Sequence, residues 1–244
     1  MERLDIAGDA RRIVDVVKAG GVAVFPTDVG YAGAAGCEAA LTRFFLAKGR
    51  GAHKRNAMLG SLAIHEDVHT LPARANSMIR CLVEDYDLPI SAIGPFRADH
   101  PLLRRLGERA LSASTEGGTV AILMNVGALE HRMATLAAEE GQPLFGSSAN
   151  LTGTGTKFRA VDIQPEIRGC ADIVVDYGLQ KFHQYRRSST MIDFTTMEVV
   201  RIGSCYELIQ EVLGRHFGVE LPPDPGLEAL PSGHVREAQR RYLM

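Results

Sequence analysis

The chain has 244 residues, of which 45% are hydrophobic and 23% charged, the balance of a globular protein rather than a disordered, collagenous or coiled-coil one. Its 27 basic and 29 acidic residues leave a formal net charge of −2, without the basic excess of a dedicated nucleic-acid binder. No apolar run reaches the ~18–20 residues of a membrane helix, and MERLDIAGDARR lacks the apolar core of a secretory signal. At about 150 residues per domain the length suits one large domain or two small ones. The four scattered cysteines, Cys37, Cys81, Cys170 and Cys205, form no C-x-x-C pair. They read as free, buried thiols of a reducing cytoplasm.

In chain order, Ile13, Val16 and Val17 space as a helix over 9–19, stopped by Gly20 and Gly21. VAVF (22–25) reads as a buried strand ending at Pro26. A helix over 37–48, a strand over 57–63 and a helix over 73–86 follow. Next come a short strand at 90–93, a helix at 101–111, a strand at 119–124, a helix at 128–140 and a strand at 143–146. Residues 147–157 (SSANLTGTGTK) are turn-rich. Three more strands are predicted at 172–176, 189–194 and 197–201, and a last helix at 205–216. Strands interleaved with helices predict an α/β sheet, and the close-set late strands predict a partly antiparallel edge. From Val219 the chain changes character: Pro222, Pro223, Pro225 and Pro231 mark a linker, so a domain over 1–217 and a Pro-rich appendage over 218–244 are expected.

Four stretches carry chemistry. FPTDVGY (25–31) sits where a strand ends, the place where open α/β sheets hold ligands. It offers the Thr27 hydroxyl and the Asp28 carboxylate. Lys48, Arg50, His53, Lys54 and Arg55 crowd five potential cations into eight residues, with Gly49 and Gly51 among them. This exceeds what a helix C-terminus calls for and suits an anion. GSSANLTG (146–153) supplies neutral donors on a pliant backbone. SSTMIDF (188–194) with MEVVRIGS (197–204) ends a strand in Arg201, either a surface charge or a phosphate clamp. His65-Glu66-Asp67-Val68-His69 fits the zinc spacing H-E-x-x-H. The segment is short and polar and runs into Leu71-Pro72, so a solvated helix start is expected instead, and no metal site is assigned. P-loop and dinucleotide fingerprints are absent.

The order GGVAVFPTDVGY, KGRGAHK, PLFGSSANLTG, SSTMID and VVRIGS, over residues 8–216, resembles the YrdC family, which includes YciO and the threonylcarbamoyl-AMP synthases. The resemblance implies a single α/β domain, a twisted mixed sheet flanked by helices around a concave basic cavity. It also implies a cytoplasmic nucleotidyltransferase that uses L-threonine, bicarbonate and ATP with Mg²⁺ to make threonylcarbamoyl-AMP and pyrophosphate for tRNA threonylcarbamoyladenosine. By the same resemblance Lys48 and Arg50 are the catalytic cations. Thr27, Tyr31, Ser147 and Ser189 border the threonine, and Lys54, Ser148, Asn150 and Arg201 hold the nucleotide. A homodimer is a further expectation.

Four places depart from the family pattern. Val29 replaces the second Thr of P-T-[DE]-T, and no Arg stands between Thr119 and Glu130, where the family has R-x-P. IGPFRA matches the G-P-x-T segment poorly, with Arg97 as a stand-in for the missing Arg, and Ile202 replaces the Pro before Gly203. Two alternatives stay open: a related enzyme with another amino acid or carbamoyl acceptor, and a non-catalytic protein that binds double-stranded RNA. The additional C-terminal domain of longer members is not expected, because little chain follows residue 216.

Overall fold

The structure, a computed structural model, describes residues 3–49 and 55–235. Helix α1 (Ile6–Lys18) starts three residues before the predicted one, because the Asp5 carboxylate accepts the Gly8 amide at 3.0 Å and caps it. Strand β1 (Ala23–Thr27) runs through Pro26 and turns back as β2 (Gly30–Ala35). That second strand, GYAGAA, was not predicted. Gly and Ala are poor strand formers, but a small residue is required: a Cβ on Gly33 would lie 2.3 Å from the Phe44 ring. Phe44 belongs to α2 (Glu38–Ala47), which packs on β2.

Strand β3 (Ala57–Leu59) is shorter than predicted, since the Ser61 hydroxyl caps a new helix, α3 (Leu62–Val68). This helix carries H-E-x-x-H, and its histidines are not solvated: His65 is fully buried and His69 nearly so. Their Nδ1 atoms lie 2.8 Å apart, with His65 Nε2 against Asn76 Oδ1 and His69 Nε2 against the Val120 carbonyl. Burial pushes both imidazoles down, His69 to about 4.

Helix α4 (Ala73–Arg80) passes into a π-turn over Cys81–Asp85 before β4 (Ile90–Pro95). The helix predicted at 101–111 is two, α5 (Pro101–Leu106) and α6 (Glu108–Ser114). Gly107 separates them at φ +91°, which a helix cannot hold. Then come β5 (Thr115–Glu116), β6 (Thr119–Met124), α7 (Ala128–Glu139), β7 (Phe145–Ser148), α8 (Pro165–Gly169), β8 (Ile173–Val174), β9 (Thr190–Asp193), β10 (Glu198–Arg201) and α9 (Tyr206–Phe217).

Among the described residues these strands form one mixed sheet, ordered β10-β9-β4-β6-β3-β7-β2-β1-β8, with β5 on β6. The late strands do not share an edge. β9 and β10 form an antiparallel pair at one edge, while β8 lies parallel to β1 at the other. Met58, Ile122, Ala92 and Ile192 point from β3, β6, β4 and β9 into the larger core beneath α2–α6 and α9, and all are fully buried. Alternate residues face opposite sides of a strand, and the other side carries Ala57, Leu123, Ile93 and Met191, all half-buried. The β1–β2–β7 part of that second side is roofed by α1 and α7, with Phe25, Leu129, Met133 and Leu144 packed between, and the same core reaches β3 at Leu59 and β6 at Leu123.

The stretch from Val219, expected to be a linker, is laid along the body. Arg187, only 4% exposed, donates to Asp224 Oδ2 (2.6 Å) and to the carbonyls of Gly226 (2.8 Å) and Leu230 (2.7 Å). Leu230 is buried in the larger core, and the Ile202 amide donates to the Gly233 carbonyl at 2.8 Å. The prolines exclude helix and strand, but an extended chain still buries its apolar groups when a cation collects its carbonyls.

Candidate functional site

By its ladder, the end of β1 lies at the side of the sheet where β6 begins. Yet the Asp28 amide donates to the Val126 carbonyl at 2.7 Å, just past the end of β6. Four strand-to-strand steps separate β1 from β6. At roughly −20 to −25° of twist per step they cross near a right angle. The Asp28–Val126 contact brings the β1–β2 turn against the exit of β6, and the side bearing Ala57, Leu123, Ile93 and Met191 is the half-open side of the sheet.

Register assigns the predicted residues to its two sides. Ser148 opposes Ala32, which opposes Phe25, so Thr27 and Ser148 belong to the half-open side together with Ala57 and Leu123. Arg201 and Ser91 both pair with Met191, which places them there too, with Ser189 two residues before Met191. Tyr31, Gly33 and Ser147 point to the opposite side, beneath α2.

Two tight groups result. In the first, the guanidinium of Arg201 donates to the Ser189 carbonyl (2.8 Å) and hydroxyl (2.9 Å), and Ser189 Oγ lies 2.9 Å from Ser91 Oγ. Ser189 and Ser91 are buried, and Arg201 is half-buried. In the second, Lys48 ends α2 at 2% exposure, with its ammonium donating to the carbonyls of Ser148 and Asn150, the latter at 2.7 Å. The Phe44 ring lies 5.4 Å from the same nitrogen. Lys48 thus acts on the backbone of the loop leaving β7. Arg50 and Lys54 lie outside the described residues.

The remaining residues are fastened locally. Thr27 Oγ1 donates to the Gly30 carbonyl at 2.5 Å within the β1–β2 turn. The buried Tyr31 hydroxyl donates to Asp176 Oδ1 at 2.5 Å and accepts the Tyr177 amide at 3.2 Å. Burial and the neighbouring Asp176 carboxylate raise its pKa above the ordinary phenol value. Asp28, at the motif's turn, is paired with Lys181 at 3.4 Å. Arg97 pairs with Asp67 at 3.4 Å on the surface. Sequence reasoning missed Ser91, a hydroxyl inside an apolar strand, and Asn56, which directly precedes β3; neither sits in a motif.

Residues 15–203 match the family model for Sua5, YciO and YrdC proteins, described as telomere recombination. The chain belongs to this family. The family member shares its fold with Pyrococcus abyssi Sua5 complexed with L-threonine (TM-score 0.69, 21% identity, 87% of this chain and 59% of that one). It is likewise similar to the hypothetical protein smu.1377c of Streptococcus mutans (0.67, 22%, 86% and 92%). A third likeness is to Escherichia coli YciO (0.64, 18%, 83% and 92%). The chain spans less than two thirds of the Sua5 structures it matches. No curated protein sequence matches it significantly. No helix among the described residues is long and apolar enough to cross a membrane.

Proposed function

We propose that this Sua5/YciO/YrdC member is a threonylcarbamoyl-AMP synthase-like nucleotidyltransferase in the tRNA threonylcarbamoyladenosine route. It would join L-threonine, bicarbonate and ATP into threonylcarbamoyl-AMP and pyrophosphate. The observation that carries this reading is that Thr27, Ser148, Ser189 and Arg201 share one half-open side of the sheet by register. The reaction needs no covalent protein nucleophile. A carbamate oxygen of carboxylated threonine attacks the α-phosphorus, pyrophosphate leaves, and the protein positions the reactants and stabilises charge. Arg201, fixed by Ser189, presents a planar guanidinium to a carboxylate or phosphate. Lys48 shapes the β7 exit loop, and Arg50 and Lys54 are left to meet the triphosphate.

Among the described residues no three His, Cys, Asp or Glu side chains are gathered as metal ligands. Mg²⁺ therefore fits as a companion of the nucleotide's phosphates rather than the occupant of a protein cage, and no step here runs through it. A second reading is supported by Leu123. It is half-buried on the same side, packed against the smaller core, within the stretch where the family carries its R-x-P arginine, and a different amino acid would suit this more apolar floor.

The test is to supply ATP, Mg²⁺, bicarbonate and L-threonine, and to follow pyrophosphate and the nucleotide product by mass spectrometry. A threonine-dependent adenylate that falls at least tenfold in Arg201→Ala is expected. An adenylate that forms only with another amino acid transfers the case to the second reading. Absence of any amino-acid-dependent product overturns both.

A further inference from the structure

The H-E-x-x-H stretch holds a chemistry that the proposed function leaves unused. His65 Nδ1 and His69 Nδ1 lie 2.8 Å apart in the core, with the two rings edge-on at 81°. The outer nitrogens both face oxygens: His65 Nε2 lies 3.1 Å from Asn76 Oδ1, and His69 Nε2 lies 3.1 Å from the Val120 carbonyl. The Asn76 amide is not free to turn its nitrogen toward His65, because that nitrogen donates to the Leu71 carbonyl at 3.2 Å. Each outer contact therefore calls for an Nε2–H, and the inner contact calls for an Nδ1–H on one ring. A neutral imidazole carries a single N–H, so a neutral pair brings two protons to three contacts. One contact is always unmade: either two Nδ1 lone pairs face each other, or an Nε2 lone pair faces an oxygen. One added proton completes all three. A second would put N–H on all four ring nitrogens and set the two Nδ1–H against each other.

We infer that His65 and His69 act as one proton-binding unit, which takes up a single proton between its Nδ1 atoms and so fastens α3 to α4 and β6 at once. The charged groups around the pair are engaged with one another. Glu66 on α3 and Arg80 on α4 act on His65 with opposite signs and pair together, and Arg80 also meets Glu84 of the π-turn. Asp67 of α3 is taken up by Arg97 and His100 from the segment after β4. His69 is met by the Val120 carbonyl and by His65 itself.

Burial holds proton uptake below the ordinary imidazole value of 6.5, so the unit answers to acid. Below that value the unfolded chain binds two protons on these rings, while the folded pair binds none and then one. Their contribution to stability therefore falls as pH drops through 6.5, and falls half as steeply once the unit is charged. Local order moves the other way, because the charged unit makes every contact. This device stands whether or not the protein makes an adenylate.

The test is a magnetic resonance titration of the full chain carrying nitrogen-labelled histidine, from pH 8 down to the onset of unfolding. Hydrogen exchange, corrected for its intrinsic pH dependence, is followed at the His69 and Thr70 amides, which donate to the His65 and Pro95 carbonyls. Both rings are expected to shift in one step that takes up one proton. The charged state should show a scalar coupling between the two Nδ1 atoms, and exchange at both amides should slow at least threefold. In His65→Gln the new amide nitrogen can donate to His69 Nδ1 without an added proton. The step and the slowing should vanish there, with the unfolding midpoint at pH 8 equal or higher. Two separate steps, uptake of two protons, a step without the coupling or the slowing, or no uptake before unfolding overturns the inference. So does a step that survives in His65→Gln. If that variant does not fold, the wild-type titration decides by itself.

Discussion

Glu130, in the first turn of α7, is fully buried, and neither carboxylate oxygen has a hydrogen-bond partner. Burial pushes its carboxyl well above the usual range, and the nearby Gly60 amide offsets this only in part. The native state therefore favours the protonated acid, while the unfolded chain ionises near the ordinary carboxyl value of 4.5. Stability from this group is complete below that value and declines as pH rises from it toward the raised native pKa. In Glu130→Gln this decline should vanish, with a gain of roughly 1–3 kcal/mol at neutral pH. Urea unfolding at pH 5 and pH 8 measures it, and equal slopes in both proteins would refute it. Lys48 carries a prediction of the opposite sign. Lys48→Met leaves the Asn150 carbonyl without its donor, while the Ser148 carbonyl keeps the Asn150 amide at 3.0 Å, and should cost roughly 1–3 kcal/mol. Hydrogen exchange at Thr152, whose amide donates to the Lys48 carbonyl at 2.9 Å, should quicken in the same variant. Unchanged stability and exchange would show that the ammonium does not hold this loop. The sequence shows the charge of Lys48 but not which carbonyls its side chain reaches.

At the scale of elements, strands rich in branched residues could be read directly. TVAILM became β6 with its predicted bounds, and TMID lies within the predicted 189–194. The β2 strand could not be read, since its glycines and alanines are dictated by α2 above it. Gly33→Ala should destabilise by roughly 1–3 kcal/mol, the cost of overpacking. That lowers the melting temperature by roughly 2–4 °C per kcal/mol in a chain of this size. Gly33→Ala with Phe44→Leu should recover part of the loss, and a double variant no better than the single one would refute the contact. The helix over 101–111 had its break written at Gly107, but one glycine in an otherwise regular pattern does not reveal a positive φ. The PTD, SSAN and SSTMID motifs named the candidate residues. Which of their residues share the half-open side follows from the register of the sheet, which spacing does not contain.

For the whole molecule, the Pro-rich stretch is the clearest disagreement with expectation. Arg187 is buried and draws its partners from Asp224, Gly226 and Leu230. Ending the chain after Gly218 would leave that guanidinium uncompensated, at a cost of roughly 3–5 kcal/mol. Thermal unfolding of the shortened chain should show a midpoint lower by about 6 °C or more. An unchanged midpoint would mean that the stretch adds nothing to the fold.

The four-residue β7 joins β2 on one flank and β3 on the other. In the described ladder, every pairing between the β1–β2 half and the β3–β6–β4 half passes through it. Until Phe145–Ser148 leaves the ribosome, the nascent chain holds two separate sheet fragments with facing unpaired edges. β1 then awaits β8, 150 residues beyond it, and β4 awaits β9, 100 residues later. Edges left open for so long invite pairing with other chains. The segment that bears the serine motif is thus also the keystone of biosynthesis: a lesion there would be felt first as aggregation during synthesis, before any reaction could be assayed.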